Sequence, residues 1–371
     1  MTRKSWIARI GVFTVLLVVL AVAGTAITGA FAQTDRAAAP VAKKWKIALS
    51  NSFIGNTWRL EMENTFKAAC KMQPFKSEVS CSVYNSGNDV GKQTQQISNL
   101  ISQHVDAIVI DAASPTGLNG IVKQACARGI LVISFDSVVT EKCGLTVNTD
   151  QFKFGQLGGQ FLATQLHGKG NVVMVTGVAG TSVDTDRNNG VESVIKKYPN
   201  MKIVAHYSGN WDSSAAQRAT AAQLPSLPQV DGVWVSGGTD GVVKAFIDAN
   251  KPLPVVAGEG ENGYRRYLLP AGYKGHHVTG ISIGQPPFLS VASLELAREI
   301  LEHKHAKKSI LLPFPVVTDQ TVKSGVTVFP NLPDSFFADF TDSGPKATVV
   351  LCVQAALKGT PCPGTLKVRL P

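Results

Sequence analysis

Polar and aromatic side chains recur where predicted strands end and the next segment begins. They are carboxylates, amides, a hydroxyl, guanidinium groups and an indole: Asn56, Trp58, Arg59, Asp136, Gln151, Arg187, Thr239, Asp240, Glu259 and Gln285. A single such residue usually caps the following helix. As a set they have another chemistry, because carboxylates and amides hydrogen-bond to hydroxyl groups, Arg bridges two oxygens, and Trp covers an apolar ring face. The set predicts a binding site for a polyhydroxylated ligand.

Two glycine-rich strings have the spacing of known motifs but do not fit their chemistry. Residues 258–263 match G-x-G-x-x-G, yet Glu259 and Glu261 within them would repel a pyrophosphate. Residues 280–284 match G-x-S-x-G, but their β-branched neighbours are typical of a strand interior. The short histidine pairs lack a third ligand. We therefore predict no catalytic residue, no metal and no cofactor.

The elements that must position these side chains follow one rhythm: a short β-branched run, a polar turn, and a longer segment with helical spacing. The predicted strands are 46–50, 79–84, 107–110, 131–135, 145–148, 171–176, 202–207, 232–236, 255–259 and 278–283. The predicted helices are 57–72, 91–103, 115–128, 151–167, 184–198, 213–223, 240–250 and 287–303.

Apolar strands that alternate with helices form parallel sheets covered on both faces. Two sheets of about five strands fit the length better than one large sheet. The predicted fold class is therefore α/β, with two similar doubly wound parallel-sheet lobes. Ligands in such sheets bind beyond the carboxyl ends of the strands, so the two sets of strand ends can face each other across a cleft.

The N-terminus is typical of an export signal. Three basic residues precede a long uncharged apolar run, which ends in the small-x-small string Ala30-Phe31-Ala32. This pattern predicts a signal peptide over 1–32, cleaved before Gln33, followed by a linker over 33–43, and it predicts a periplasmic protein. A retained membrane anchor is the alternative, because about 20 apolar residues would span a bilayer.

The basic residues are spread along the sequence and form no cluster outside the leader. The chain has 36 Lys and Arg against 26 Asp and Glu, a formal net charge of +10. Part of the excess belongs to the leader, and no run of five basic residues occurs elsewhere. Because nucleic-acid binding relies on clustered basic residues, we expect no nucleic-acid partner.

All six cysteines follow the leader, which suits disulfide formation in an oxidising compartment. The short separations favour pairing between sequence neighbours, although the sequence also allows other pairings and buried free thiols. The expected pairs are Cys70 with Cys81, Cys126 with Cys143, and Cys352 with Cys362.

A family resemblance rests on several strand-end strings taken together. These are 46–50 with 56–58, 105–110, 133–136, 177–182 with Arg187, 231–240, and 283–286. In this order they resemble the ribose-binding-protein-like periplasmic solute-binding proteins of sugar ABC transporters, and the likeness covers about residues 46–316.

The resemblance implies two lobes that are joined by three crossing strands and close around one ligand. It places the N-terminal lobe at 44–147 and 285–316, and the C-terminal lobe at 148–284 and 317–371 with a tail extension. The implied ligand contacts are Asn56, Trp58 and Asp136 from the first lobe; Gln151, Arg187, Thr239 or Asp240, and Glu259 from the second; and Gln285 at the hinge.

This chain also departs from the family pattern. Family members often carry two adjacent aromatic residues where Trp58-Arg59 stands, and an Asp where Glu259 stands. These departures leave the sugar unidentified, and Arg59 could suit a more acidic ligand. The tail from about 318 lies beyond the resemblance, and we expect it to pack against the second lobe.

The resemblance implies a soluble, monomeric, non-enzymatic binding component. Its expected ligand is a monosaccharide or related polyol, and its expected partner is the permease of an ABC transporter. A membrane-anchored sugar sensor or chemoreceptor partner with the same ligand-binding fold is the alternative. Sugar-responsive repressors share the fold, but here a leader stands where their helix-turn-helix would be. An enzyme acting on a sugar would need a carboxylate pair, for which Asp136 and Glu259 are candidates.

Overall fold

The structure is a computed structural model that describes residues 44–303, 308–337 and 339, with the short strands at 348–350 and 367–369. Its strands are β1 (Trp45–Asn51), β2 (Val79–Asn85), β3 (Ala107–Asp111), β4 (Leu131–Phe135), β5 (Leu145–Asn148), β6 (Lys169–Thr176), β7 (Asn200–Ser208), β8 (Gly232–Val235), β9 (Val255–Gly258), β10 (Gly280–Ile283), β11 (Ser309–Leu311), β12 (Val316–Thr318), β13 (Thr348–Val350) and β14 (Lys367–Arg369). The predicted signal peptide, the linker as far as residue 43 and the pair Cys352 and Cys362 lie outside the described residues.

The helices alternate with the strands. They are α1 (Thr57–Ala69), α2 (Phe75–Glu78), α3 (Val90–Ser102), α4 (Asn119–Ala127), α5 (Gln151–Gln165), α6 (Ser182–Ile195), α7 (Ser213–Gln223), α8 (Thr239–Asp248), α9 (Asn262–Leu268) and α10 (Leu289–Leu301). All ten predicted strands and all eight predicted helices are present, although several bounds differ. The sequence prediction missed the short elements α2, α9, β11 and β12, which are too short to show a clear period. No helix in the described part of the chain is long and apolar enough to cross a membrane.

Two six-stranded sheets define two lobes, as the predicted fold class requires. The first sheet has the order β11-β5-β4-β3-β1-β2, and the second has the order β12-β10-β9-β8-β6-β7. The first sheet is parallel throughout. The chain passes between the lobes three times, after β5, after β10 and after β11. These crossings place the carboxyl ends of both sets of parallel strands at the junction of the lobes.

The second sheet departs from a purely parallel arrangement at one edge. Its last strand, β12, runs antiparallel to β10. The reason is topological, because the chain leaves the second lobe at the carboxyl end of β10 and returns from the first lobe at the same end. A strand that enters there must run in the opposite direction. The exact residue bounds of the two lobes given in the sequence analysis stay a prediction.

Both sheets are buried on both faces, which explains the continuous apolar runs in their strands. In β1, Ile47 and Leu49 belong to one core cluster, whereas Ala48 between them belongs to the cluster on the other face. The second sheet repeats the alternation with Val173 and Met174. Full burial of such a side chain contributes roughly 1.5–3 kcal/mol to the free energy of folding, so packing of the helices on each sheet stabilises the lobe.

Two of the three expected disulfides are present. Cys70 is bonded to Cys81 across 11 residues, and Cys126 is bonded to Cys143 across 17 residues. Both lie in the first lobe. The first joins the end of α1 to β2, and the second joins α4 to the turn before β5. Each therefore ties a helix to the sheet beneath it.

Candidate ligand-binding site

One cavity lies where the carboxyl ends of the two sheets meet. The empty space there is about 290 Å³, part of it open to solvent. Its lining residues come from both lobes and from the C-terminal segment: Asn56, Trp58, Arg59, Asp136, Val183, Arg187, Trp211, Glu259, Gln285 and Phe337. Seven of the ten residues that the sequence predicted therefore surround a single space.

The start of α1 forms part of the first-lobe wall. Asn56 caps this helix, and its Oδ1 accepts a hydrogen bond from the backbone N–H of Arg59 at 2.9 Å. The cap sets the direction of the first turn, which carries Trp58 and Arg59 at the cavity. The Trp58 indole donates from Nε1 to the backbone oxygen of Gln285 at 2.7 Å, so the indole is oriented by the hinge.

Arg59 holds the polar groups of the first lobe together. Only 1% of it is exposed, and its guanidinium donates to Asn51 Oδ1 at 3.0 Å, Ser52 Oγ at 3.2 Å and Asp136 Oδ2 at 3.1 Å. It also forms an ion pair with buried Asp111. A guanidinium that is already engaged by two carboxylates has little capacity for an acidic ligand, so the acidic-ligand hypothesis loses its basis.

Asp136 projects from the end of β4 on an unusual backbone. Its φ is +53°, a left-handed conformation that Asp tolerates better than most residues. Its two carboxylate oxygens accept from different partners, Oδ2 from Arg59 and Oδ1 from Gln285 Nε2 at 2.7 Å. Its backbone oxygen accepts from Asn148 Nδ2 at 2.9 Å. These bonds fix the carboxylate at the cavity, and they hold Asp136 in its left-handed backbone conformation.

Asp111 lies behind this wall, at the end of β3, and the sequence analysis did not single it out. Burial raises its pKa to about 8; Arg59 lowers the pKa, and the nearby charge of Asp136 raises it further. The sequence signal that could have indicated Asp111 is its position as the one polar residue of the otherwise apolar strand β3. Asp111 holds Arg59 from below and does not line the cavity.

The second-lobe wall is organised around Arg187 on α6. Its Nε donates to Gln151 Oε1 at 2.8 Å, and NH1 donates to the backbone oxygen of Ser236 and to Glu259 Oε1, both at 2.9 Å. Its guanidinium also lies 3.9 Å from the centre of the Phe154 ring, a cation–π contact. Protein acceptors engage Nε and NH1, and the Phe154 ring packs on the guanidinium, so Arg187 is held in one orientation at the cavity.

Glu259 follows β9 and pairs with Arg187. Burial raises its pKa to about 8; Arg187 lowers it, and the carboxylates of Glu261 and Asp136 raise it. Glu261 lies two residues further on, at the start of α9, where its carboxylate accepts from the backbone N–H groups of Gly238 and Thr239 at 2.5 and 3.2 Å. Both glutamates of the G-x-G-x-x-G string thus have defined partners, and neither faces a phosphate site.

Hydrogen bonds through the hinge connect the two walls. Thr149, at the first crossing, donates from Oγ1 to Gln285 Oε1 at 2.6 Å, and Gln151 donates from Nε2 to Thr149 Oγ1 at 2.8 Å. Since Gln285 donates to Asp136 and Gln151 accepts from Arg187, the chain of contacts runs unbroken from Arg59 to Glu259. The list in order is Arg59, Asp136, Gln285, Thr149, Gln151, Arg187 and Glu259.

Three predicted site residues do not line the cavity. Gln151 acts through Arg187, and Thr239 Oγ1 accepts from the backbone N–H of Glu259 at 3.0 Å. Asp240 instead accepts from Lys244 Nζ at 2.6 Å and from the Ser213 hydroxyl. It lies in the first turn of α8, where these bonds occupy its carboxylate, and it does not line the cavity. Of the pair Thr239 or Asp240, Thr239 is therefore the one that supports the cavity.

Sequence reasoning missed the aromatic residue that the second lobe contributes. Trp211 follows β7 with φ at +55°, and its indole donates from Nε1 to Ser236 Oγ at 3.2 Å. A Cβ at Gly177 would lie 1.9 Å from the indole Nε1, so only glycine leaves room for the ring. Asp212 directly after Trp211 caps α7, and this cap at a strand end was the available signal.

The C-terminal segment was predicted to pack against the second lobe, and in the structure it contacts the first lobe as well. Phe336 and Phe337 belong to the core cluster of the first lobe, whereas Asp339 pairs with Arg265 of the second lobe at 2.6 Å. The segment therefore contacts both lobes. Phe337 also lines the cavity, a role that no motif in the sequence indicated.

Comparison with known proteins agrees with the fold. Residues 47–305 match the periplasmic binding protein domain, and the chain belongs to this family. A xylitol-binding protein of Mycolicibacterium smegmatis is 30% identical over 65% of this chain and 69% of its own length. A ribose import binding protein of Bacillus subtilis is 24% identical over 75% of this chain and 88% of its own. An ABC transporter solute binding protein from Thermobispora bispora is 31% identical, with a TM-score of 0.68 over 75% of this chain and 86% of its own.

Proposed function

We propose that this protein binds a monosaccharide or related polyol in the cavity and delivers it to the permease of an ABC importer. The observation that carries the proposal is the composition of the cavity wall, in which both lobes contribute polar and aromatic side chains to one small space. Two of the relatives support the ligand class, since one is named for xylitol and the other for ribose.

The chemistry of the wall suits hydroxyl groups. Asp136 and Glu259 accept hydrogen bonds, Arg187 donates them, and the carboxylates are held by protein donors on their other sides. A polyol can both donate and accept, so it can satisfy this mixed wall. Protein hydrogen bonds hold both carboxyl groups in place, which suits them to orient the hydroxyl groups of a ligand, and we assign no catalytic residue.

The mechanism we propose is a shift in population between open and closed arrangements of the lobes. A ligand in the cavity contacts both walls only when the lobes are closed, so it stabilises the closed form by the free energy of those contacts. The hydrogen bonds between Thr149, Gln285 and Asp136 lie at the crossings where such a movement would bend the chain. The permease would then meet a surface whose shape depends on ligand.

A thermal-shift screen tests the ligand class directly. Purified protein lacking residues 1–32 is heated with pentoses, hexoses, furanoses and acyclic polyols, and a binder is expected to raise Tm in proportion to the logarithm of its concentration. Calorimetry then gives the Kd, and NMR of the recovered ligand checks that it is unchanged. Absence of any shift across the screen, or turnover of the bound sugar, would contradict the proposal.

Export and release from the membrane are part of the same proposal. We expect the mature protein to begin at Gln33, to be periplasmic and to be a soluble monomer. Edman sequencing of protein from the periplasmic fraction, with size-exclusion chromatography, tests these points together. Recovery of the intact leader in the membrane fraction would favour the anchored sensor instead.

A further inference from the structure

One wall of the cavity comes from outside the region that matches the family domain. That match ends at residue 305, whereas Phe337 lines the cavity. We call residues 329–337 together with Asp339 the C-terminal strap. Only 3% of Phe337 is exposed, so its ring is an interior surface.

The C-terminal strap is fixed to the second lobe by the start of α9. The Asn262 side chain accepts from the backbone N–H of Phe329 at 2.8 Å and donates to the backbone oxygens of Phe329, Leu332 and Pro333 at 2.9–3.2 Å. The backbone N–H of Asn262 donates to the Phe336 oxygen at 2.7 Å. Arg266, on the same helix, donates to the backbone oxygens of Phe329, Pro330 and Leu332, so α9 determines the path of most of the strap.

The same strap reaches the first lobe beside the cavity. Phe336 is buried in the core of that lobe, and the backbone N–H of Phe337 donates to the two carboxylate oxygens of Glu61 at 3.1 and 3.3 Å. Burial raises the pKa of Glu61, and the bond from Phe337 opposes this effect. Since Glu61 lies on α1, the helix that carries Trp58, the strap and the first-lobe wall are held to one another.

Beyond Phe337 the strap ends in a buried ion pair beneath the second-lobe wall. Asp339 pairs with Arg265, Arg265 Nε donates to Ser282 Oγ at 2.8 Å, and the Ser282 hydroxyl donates to the backbone oxygen of Glu259 at 2.9 Å. A Cβ at Gly284 would lie 2.3 Å from Asp339 Oδ1, so the hinge residue next to Gln285 leaves space for this carboxylate. The ring of Phe337 is therefore anchored on both sides.

We propose that Phe337 is a ligand-contacting residue that helps to determine which sugars this protein binds. The proposal rests on the sugar-binding function above and narrows it to a cyclic sugar with an apolar C–H face. Trp58, Trp211 and Phe337 present aromatic surface from three separate elements of the cavity. Rings pack well on the C–H face of a cyclic sugar, whereas an acyclic polyol offers no such face.

Matched leucine substitutions test the proposal. Phe337→Leu and Phe336→Leu remove neighbouring rings with the same loss of volume, one at the cavity and one in the core of the first lobe. The ligand is the cyclic sugar that shifts the wild-type Tm most, and its Kd is measured by calorimetry beside that of an acyclic polyol. We expect Phe337→Leu to raise the sugar Kd about tenfold, the equivalent of one lost ring contact, with a smaller effect on the polyol.

The control and a second variant separate a ligand contact from a structural role. Phe336→Leu is expected to lower Tm while its Kd stays within about threefold of wild type, because its ring does not line the cavity. Phe337→Ala is expected to raise Kd further than Phe337→Leu, and circular dichroism at 25 °C checks that each variant is folded. If Phe337→Leu binds the sugar with wild-type Kd, or if both leucine variants weaken it equally, the proposal is wrong while sugar binding stands. If wild type binds nothing in the screen, the proposed function fails, and this assignment fails with it.

Discussion

The side chain of Gln285 donates a hydrogen bond from Nε2 to Asp136 Oδ1 at 2.7 Å, joining residues 149 positions apart. Gln285 lies on the second crossing between the lobes, and its Oε1 accepts from Thr149 on the first crossing. The amide therefore ties both crossings to a carboxylate of the first-lobe wall. A change in the angle between the lobes would alter the contacts of Asp136 directly.

Replacing Gln285 by Ala tests this connection. The variant removes a donor from Asp136 and an acceptor from Thr149, and hydrogen bonds to charged groups contribute about 1.5–3 kcal/mol. We expect Kd for the sugar to rise at least about tenfold in calorimetry. Gln160→Ala, at an exposed position on α5, is the matched control and should bind as wild type does. An unchanged Kd for Gln285→Ala would show that the Gln285 side chain does not contribute to sugar binding.

Arg187→Ala is expected to abolish measurable sugar binding. The change also removes the partner of buried Glu259, so Tm should fall as well, most of all above pH 8, where the Glu259 carboxyl would have to be charged or keep its proton at a cost. Chemical denaturation and calorimetry on the same preparation report both effects.

A second substitution distinguishes these two effects of Arg187. In Arg187→Ala with Glu259→Gln a neutral amide replaces the carboxyl that lost its partner, so stability above pH 8 should partly recover while binding stays lost. Arg218→Ala, an exposed position on α7, controls for loss of a positive charge. Binding by Arg187→Ala within about threefold of wild type would show that Arg187 does not contact the ligand.

The buried carboxyl of Glu259 predicts a pH dependence of stability without ligand. Its pKa is raised from 4.5 to about 8, so between these values the folded chain keeps a proton that the unfolded chain has released. Stability should therefore fall as pH rises through this window, by at most about 1.4 kcal/mol per pH unit for one proton.

Urea unfolding at pH 5, 6.5 and 8 measures this effect. Glu259→Gln should flatten the pH profile, so that the variant gains stability relative to wild type as pH rises. Glu192→Gln replaces a surface carboxylate that pairs with Lys196, and it should keep the wild-type slope. Equal slopes for wild type and Glu259→Gln would show that Glu259 does not titrate in this range.

The disulfide between Cys126 and Cys143 closes a loop across 17 residues. Replacing both cysteines by serine should lower the unfolding free energy by about 3 kcal/mol, chiefly because the unfolded chain gains freedom. Urea unfolding measures the loss. Peptide mapping without reduction should recover this pair and the Cys70–Cys81 pair, and it tests the predicted Cys352–Cys362 pair. A different connectivity in the map would contradict the predicted pairing.

The strand-end residues show how far the sequence alone could lead. Asp136 and Glu259 were predictable because each polar residue directly follows an apolar strand, and parallel strands bring their carboxyl ends to one edge. Asp240, the alternative to Thr239, does not line the cavity, because a helix turns about 100° per residue and a shift of one position changes the direction of a side chain. Arg59 lines the cavity, but its partners come from three separate segments, and the sequence could not show that they already occupy its guanidinium.

The sequence by itself determined the alternation of strands and helices, the two-lobed α/β architecture and the polar character of the strand ends, because these depend on local periodicity and on short-range turns. Only the tertiary structure decided which of those polar residues share one cavity, and which act through a neighbour. It also brought Trp211 and Phe337 to the site, the first through a left-handed turn and the second through a strap that crosses both lobes. Contacts between residues hundreds of positions apart, such as Phe337 with Glu61, depend on how the lobes pack and leave no periodic trace in the chain.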